Sequence, residues 1–236
     1  MKQPATANQP TQLSGDGSLQ ELTAWLRGAN LAALYNSIAH ELRGPLNAMS
    51  INLEMLKLTV NDPVKNSSDK PEHYIRILSE SIRQLDQRLL VFFGHFAPTA
   101  QPLPVQKLLS EIEQLAITQA HTQSVGMKIT PPAEENLNLQ SHIPAWRQAA
   151  LHLVVHALSG LGRGDEVTIE AVRSGRQLQL RVFDSASLLK TPSQITTPGL
   201  NKVSALAAHC GGTLNLYGNS GGKNGVYREL AIPLGN

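Results

Sequence analysis

Two long runs of apolar residues at three-and-four spacing govern what this chain can fold into. Leu31, Leu34, Ile38, Leu42, Met49, Leu53 and Leu56 make the first; Ile75, Leu78, Ile82, Leu85, Leu89, Phe92 and Phe96 make the second. Alternating steps of three and four keep these side chains on one helical face, and a seam this narrow is that of a coiled coil. Ser18, with Glu21 three residues on, forms a capping box. The first helix is therefore expected from Leu19 to about Val60, with Gly28 as a weak point. Asn61-Asp62-Pro63 stops it, and a polar loop through Asp69-Lys70-Pro71 leads into the second. A hairpin with one narrow stripe per helix cannot close a core alone. Two hairpins pairing as an antiparallel four-helix bundle can, so residues 18–97 predict a homodimer.

The rest of the chain has a different grammar. Residues 1–17 are rich in Gln, Pro, Thr, Gly and Ser and read as a disordered tail. Pro98, Pro102 and Pro104 mark a hinge, and residues 104–236 read as a second domain. In it, 107–123, 143–161 and 197–210 read as helices, the second with Pro144 at its start and the third closed by Gly211-Gly212. Strands are expected at 125–130, 167–172, 177–183, 213–217 and 226–232, with turns at Ser174-Gly175 and between Gly218 and Gly225. Helices on one face of a mostly antiparallel sheet make an α/β sandwich, so the chain as a whole is α+β.

Bulk composition excludes several classes. With 20 basic and 18 acidic residues among 236, nothing favours nucleic acid or an anionic membrane. The single cysteine, Cys210, forms no internal disulfide and fits a reducing compartment. No apolar run reaches the length of a membrane span and no signal sequence is evident, so a cytoplasmic protein is expected.

The chemistry concentrates at His40-Glu41-Leu42-Arg43-Gly44-Pro45-Leu46. His40 lies between Ile38 and Leu42, and at about 100° per residue it points away from the apolar stripe toward solvent. An exposed imidazole can take a phosphoryl group on one ring nitrogen while a neighbouring carboxylate manages the proton on the other, a role suited to Glu41. Pro45 removes the amide that would bond the Glu41 carbonyl, bending the helix one turn past the site. Arg43 and Arg88 are the cations placed to screen the added charge.

This seven-residue string resembles the phosphoacceptor motif of two-component sensor histidine kinases, and the resemblance runs over roughly residues 30–234. It implies that His40 is the phosphorylated histidine and Glu41 its acid/base partner. It also implies a degenerate Bergerat-type ATP-binding domain after the hairpin. One position departs: many such kinases carry Thr or Asn four residues after the histidine, where this chain has Gly44, which has no side chain to hold the water used in receiver dephosphorylation.

The nucleotide motifs depart further. The helix that in the family supplies two asparagines, one a magnesium ligand, here has His152 and His156, and Mg²⁺ prefers oxygen ligands. The Asp-x-Gly-x-Gly turn is Asp184-Ser185-Ala186-Ser187-Leu188, which keeps the aspartate and loses both glycines. The later Gly-x-Gly turn survives only as Gly199 in Thr197-Pro198-Gly199-Leu200, and residues 185–198 are too few for the family's ATP lid. Together these changes predict a chain that binds neither ATP nor Mg²⁺. His152 and His156 have the i, i+4 spacing of a helical metal pair, with His142 and His209 as candidate third ligands, but histidines that fill a collapsed pocket or line a surface are the favoured expectation.

The leading expectation is thus a dimeric histidine phosphotransfer protein, exchanging a phosphoryl group on His40 with response-regulator receiver domains. The alternatives are an ATP-dependent sensor kinase with a divergent site and a non-catalytic regulator that dimerises with a true kinase.

Overall fold

The computed structural model describes residues 18–61, 71–97, 101–185, 197–218 and 226–234. The expected tail at 1–17, the loop from Asp62 to Lys70, Pro98, Ala186 to Leu188 and the turn from Asn219 to Gly225 lie outside the described residues. Two compact units result. Tyr35–His95 form one, while residues up to Leu34 join those from Phe96 onward in the other. Periodicity reads 18–97 as a single hairpin; compactness instead groups the first four turns of its leading helix with the α/β unit.

The helical unit lies within α1 (Leu19–Asn61) and α2 (Pro71–Phe96). The capping box forms as expected at the start of α1: Ser18 N donates to Glu21 Oε2 at 2.8 Å, and Glu21 N donates to Ser18 Oγ at 3.3 Å. The helix continues unbroken through Gly28 and Pro45. Its inward line in the hairpin runs through half-buried Ile38 and Leu42, buried Pro45, half-buried Asn52 and Leu56, and buried Thr59. Leu53, expected on that line, is 46% exposed.

The seam of α2 differs more. Tyr74, Ser81 and His95 are its buried residues. Their heptad spacing puts Arg88 on the same line. Ile75 and Ile82, expected in the seam, stand 51% and 57% exposed. Apolar periodicity alone cannot tell a face packed within a hairpin from one left open beside it.

The α/β unit carries a five-stranded sheet in the order β2 (Gly126–Thr130), β4 (Glu166–Ser174), β5 (Gln177–Asp184), β7 (Val226–Pro233), β6 (Thr213–Gly218). Only the β2–β4 pair is parallel. The β4–β5 hairpin turns at Gly175-Arg176, where Gly175 has φ +59°. Two short strands, β1 (Leu103–Pro104) and β3 (Asn138–Leu139), pair separately and are too short for any pattern to announce.

Helices α3 (Val105–Thr122), α4 (Ile143–Leu158) and α5 (Pro198–His209) pack on the sheet. The core holds Val167, Ile169, Leu178, Leu180, Val182, Leu214, Leu216, Leu230 and Ile232 from alternate strand positions, with Trp146 and Leu153 from α4. Leu22 and Leu26 of α1 belong to this same core. Buried Glu111 and Arg147 join α3 to α4 at 2.9 Å. Thr197 caps α5 by accepting from Leu200 N at 3.3 Å, and Gly211, at φ +75°, ends it. Gly212 has no room for a side chain, because a Cβ there would meet Ala231 O and Trp146.

Candidate functional site

The hairpin places His40 exposed on α1 and Glu41 half-buried beside it. Pro45, one turn on, has no N–H, so the Glu41 carbonyl loses its helical donor. Arg88 of α2 supplies one instead: its Nη1 donates to Glu41 O at 2.7 Å and lies 4.0 Å from Glu41 Oε2. Burial raises the Glu41 carboxyl above its ordinary value, while Arg88 and His40 pull it the other way. Arg43 is exposed on α1. A side chain at Gly44 would meet no atom within 4 Å, so its lack of a Cβ is not a packing requirement.

In the α/β unit two of the altered motif positions, His152 and Gly199, meet. His152 of α4 is packed directly over Gly199 of α5, and a Cβ on Gly199 would run into its ring. The other side of His152 is held by α1. Asn30 donates from Nδ2 to Gln148 O at 3.0 Å and Gln148 Oε1 at 3.1 Å, which turns its Oδ1 toward His152 Nδ1 at 2.9 Å. That orientation makes Nδ1 the protonated nitrogen of a neutral imidazole. Burial lowers the His152 pKa from 6.5 to about 4. Trp25 stands edge-on to the same ring, with centroids 6.0 Å apart.

Leu22, Leu26 and Asn30 recur every four residues, so one face of α1 delivers two leucines to the core and one amide to α4. Asn30, Gln148 and Trp25 were not singled out by sequence reasoning. The only available signal was that four-residue step, which reads equally well as an extension of the hairpin stripe.

Asp184 is engaged as well. Its Oδ2 accepts from Arg228 Nη1 at 2.9 Å, both side chains being 3% exposed. Val182 pairs with Arg228 across β5 and β7, so Asp184 is a diagonal neighbour on the helix-covered face. Burial pulls the Arg228 guanidinium below its ordinary pKa, and Asp184 pulls it back up. Ser185, next in the altered turn, bonds back to β4: Glu166 N donates to its Oγ at 2.7 Å, and its own N donates to Glu166 O at 3.0 Å.

The rings of His152 and His156 are 6.5 Å apart. His209 Nδ1 bonds the Ala205 carbonyl at 2.9 Å, and among the described residues no group of three His, Cys, Asp or Glu could hold a metal ion. The structure does not gather His142 or His209 with the pair. Cys210 is buried and its thiol is pushed up to about 11. No helix among the described residues is long and apolar enough to cross a membrane.

Residues 31–89 match the His Kinase A (phospho-acceptor) domain. Sporulation kinase D of Bacillus subtilis (strain 168) is 21% identical over 158 residues, 66% of this chain and 30% of that protein. An uncharacterized sensor-like histidine kinase of Rhizobium meliloti (strain 1021) is 22% identical over 157 residues, 63% of this chain and 29% of that protein. The chain therefore spans under a third of the length of these curated relatives. Among solved structures, the catalytic domain of histidine kinase ThkA superposes with a TM-score of 0.51 at 16% identity, covering 58% of this chain and 98% of that domain. ThkA in complex with the response regulator protein TrrA gives 0.51 at 18% identity, covering 94% of this chain and 68% of that one. At such identities the structural likeness speaks for the fold. Residues 31–89 are thus similar in sequence to a histidine phospho-acceptor domain, and the α/β unit has the fold of a histidine kinase catalytic domain.

Proposed function

We propose that this chain is a histidine phosphotransfer protein: it accepts and returns a phosphoryl group on His40 in exchange with receiver domains, and does so without ATP. The observation that carries this reading is the filled nucleotide face. His152 occupies the space over Gly199, Asn30 holds His152 from α1, and Asp184 is spent on Arg228. A nucleotide would have to displace a buried, hydrogen-bonded imidazole and leave the Arg228 charge unpaired, and each of those changes is costly. The residues present do not fit ATP.

The transfer needs only the hairpin. The unprotonated ring nitrogen of His40 attacks the phosphorus of a receiver's aspartyl phosphate. An N–P bond forms, the P–O bond breaks, and the aspartate leaves with the bonding pair as carboxylate. The ring then carries both a proton and a phosphoryl group, and the Glu41 carboxylate stabilises that positive charge and can take the proton. Return to a second receiver reverses the sequence: a carboxylate oxygen attacks phosphorus and the N–P electron pair goes back to the ring.

The partners follow from the same reading. Leu46, Leu53, Ile75 and Ile82 are about half exposed on single helices, a surface suited to a second copy in a four-helix bundle. ThkA is solved with a response regulator, which supports receivers as partners here. A cytoplasmic setting suits such partners.

Two incubations test the proposal. Purified chain mixed with phosphorylated receiver should acquire acid-labile phosphate on His40, and His40→Ala should not. Labelled ATP alone should leave the chain unlabelled; labelling of His40 by ATP would instead establish the sensor-kinase reading. If His40→Ala left the signalling output intact, the chain would be a non-catalytic dimerisation partner.

A further inference from the structure

The exposed phosphoacceptor residues of α1 are held from behind by a side chain of α2. Arg88 stands on the heptad line of Tyr74, Ser81 and His95, the line by which α2 packs in the hairpin. Unlike those three, Arg88 is exposed, with 43% of its side chain accessible, and its guanidinium reaches across the helix pair to α1. Pro45 deprives the Glu41 carbonyl of its helical partner, and Arg88 Nη1 donates to that oxygen at 2.7 Å. The same nitrogen lies 4.0 Å from the Glu41 carboxylate. One guanidinium thus satisfies the main-chain gap left by the proline and faces the side chain of the residue next to His40.

We infer that Arg88 is a positioning residue for phosphoryl exchange at His40: it acts through Glu41, filling its open carbonyl and keeping its carboxylate charged beside the imidazole. This inference rests on the proposed function and extends it. It differs from a role in screening the phosphoryl group, because the contact is with Glu41 and is made before any phosphoryl group arrives. Two charged groups act on the Glu41 carboxylate, Arg88 from α2 and His40 on α1 itself, against a desolvation that favours the neutral acid. Removing Arg88 leaves desolvation opposed by His40 alone, so the Glu41 carboxyl moves further up and its support of a cationic ring weakens first at the acid end of the range.

The experiment charges His40 with phosphoramidate, a small donor that requires neither ATP nor a receiver. The ring nitrogen attacks phosphorus, the P–N bond of the donor breaks, and ammonia leaves. Initial rates of phosphohistidine formation are measured from pH 5.5 to pH 8 for the full chain, Arg88→Gln and Arg88→Lys. Arg88→Gln should be roughly threefold slower than wild type at pH 5.5 and nearly equal at pH 8, while Arg88→Lys, which keeps the charge, should follow wild type at both. A purely structural arginine would change the rate at every pH alike, and lysine would not restore it selectively. Matching profiles for Arg88→Gln and wild type would overturn the inference, as would an Arg88→Lys profile as depressed as that of Arg88→Gln. If circular dichroism shows that Arg88→Gln loses helix, Pro45→Ala/Arg88→Gln is compared with Pro45→Ala, since an amide at position 45 satisfies the Glu41 carbonyl and leaves only the charge missing. A chain that shows this Arg88 dependence yet exchanges nothing with receivers would sink the proposed function and leave the present inference standing.

Discussion

The buried His152 makes the α/β unit acid-sensitive in a way that can be isolated by one substitution. In the unfolded chain its imidazole titrates near 6.5, and in the folded chain near 4. The folded pKa is depressed, so below 6.5 the unfolded state takes up a proton that the folded state refuses. Stability is full above 6.5, falls as the pH drops toward 4, and levels off below that. Integrating the difference from pH 7 to pH 5 gives a loss of about 2 kcal/mol, and the limit below pH 4 is about 3 kcal/mol. His152→Gln removes the titration while keeping an amide within reach of Asn30. Both tryptophans, Trp25 and Trp146, belong to this unit, so urea unfolding followed by tryptophan fluorescence reports on it alone. Wild type should lose about 2 kcal/mol more than His152→Gln between pH 7 and pH 5. Other titrating groups are common to both proteins and cancel in that difference. Equal losses would refute the reasoning and mean that His152 is hydrated.

Three further outcomes are expected. Gly199→Ala, normally favourable within a helix, should cost roughly 1–3 kcal/mol because its methyl meets the His152 ring, and His152→Ala/Gly199→Ala should relieve that cost in chemical denaturation. Asp184→Ala should destabilise the α/β unit by roughly 3–5 kcal/mol by stranding the Arg228 charge, whereas Asp184→Leu/Arg228→Met should be near neutral; an Asp184→Ala protein of undiminished stability would show that the pair is not buried. Gly44→Ala should stabilise the hairpin by up to about 1 kcal/mol in thermal unfolding, since the added methyl meets nothing.

Much of the local structure was legible. The Ser18–Glu21 box, the Gly211-Gly212 end of α5, the Gly175 turn and the alternation in β4 and β5 each involve residues a few positions apart, where backbone geometry fixes the distance. The spacing along α2 did not separate the line packed within the hairpin from the one left open, since Ile75 and Ile82 satisfy it as well and only the partner helix distinguishes them. That His152, His156 and Ser185 depart from the motifs they resemble was plain from residue types. What packs against His152 and Asp184 was not. Asn30 reaches His152 across 122 positions of sequence, and Arg228 reaches Asp184 across 44, through a strand register that no local pattern encodes.

Residue identity alone sets a His40-Glu41 pair on an exposed helical face and a proline that opens the Glu41 carbonyl, because helical geometry and a missing N–H follow from it. Packing settles that Arg88 closes that opening and that Asn30 of α1 reaches His152. Both depend on which side chains meet when distant segments pack, and the local spacing of residues leaves that choice open.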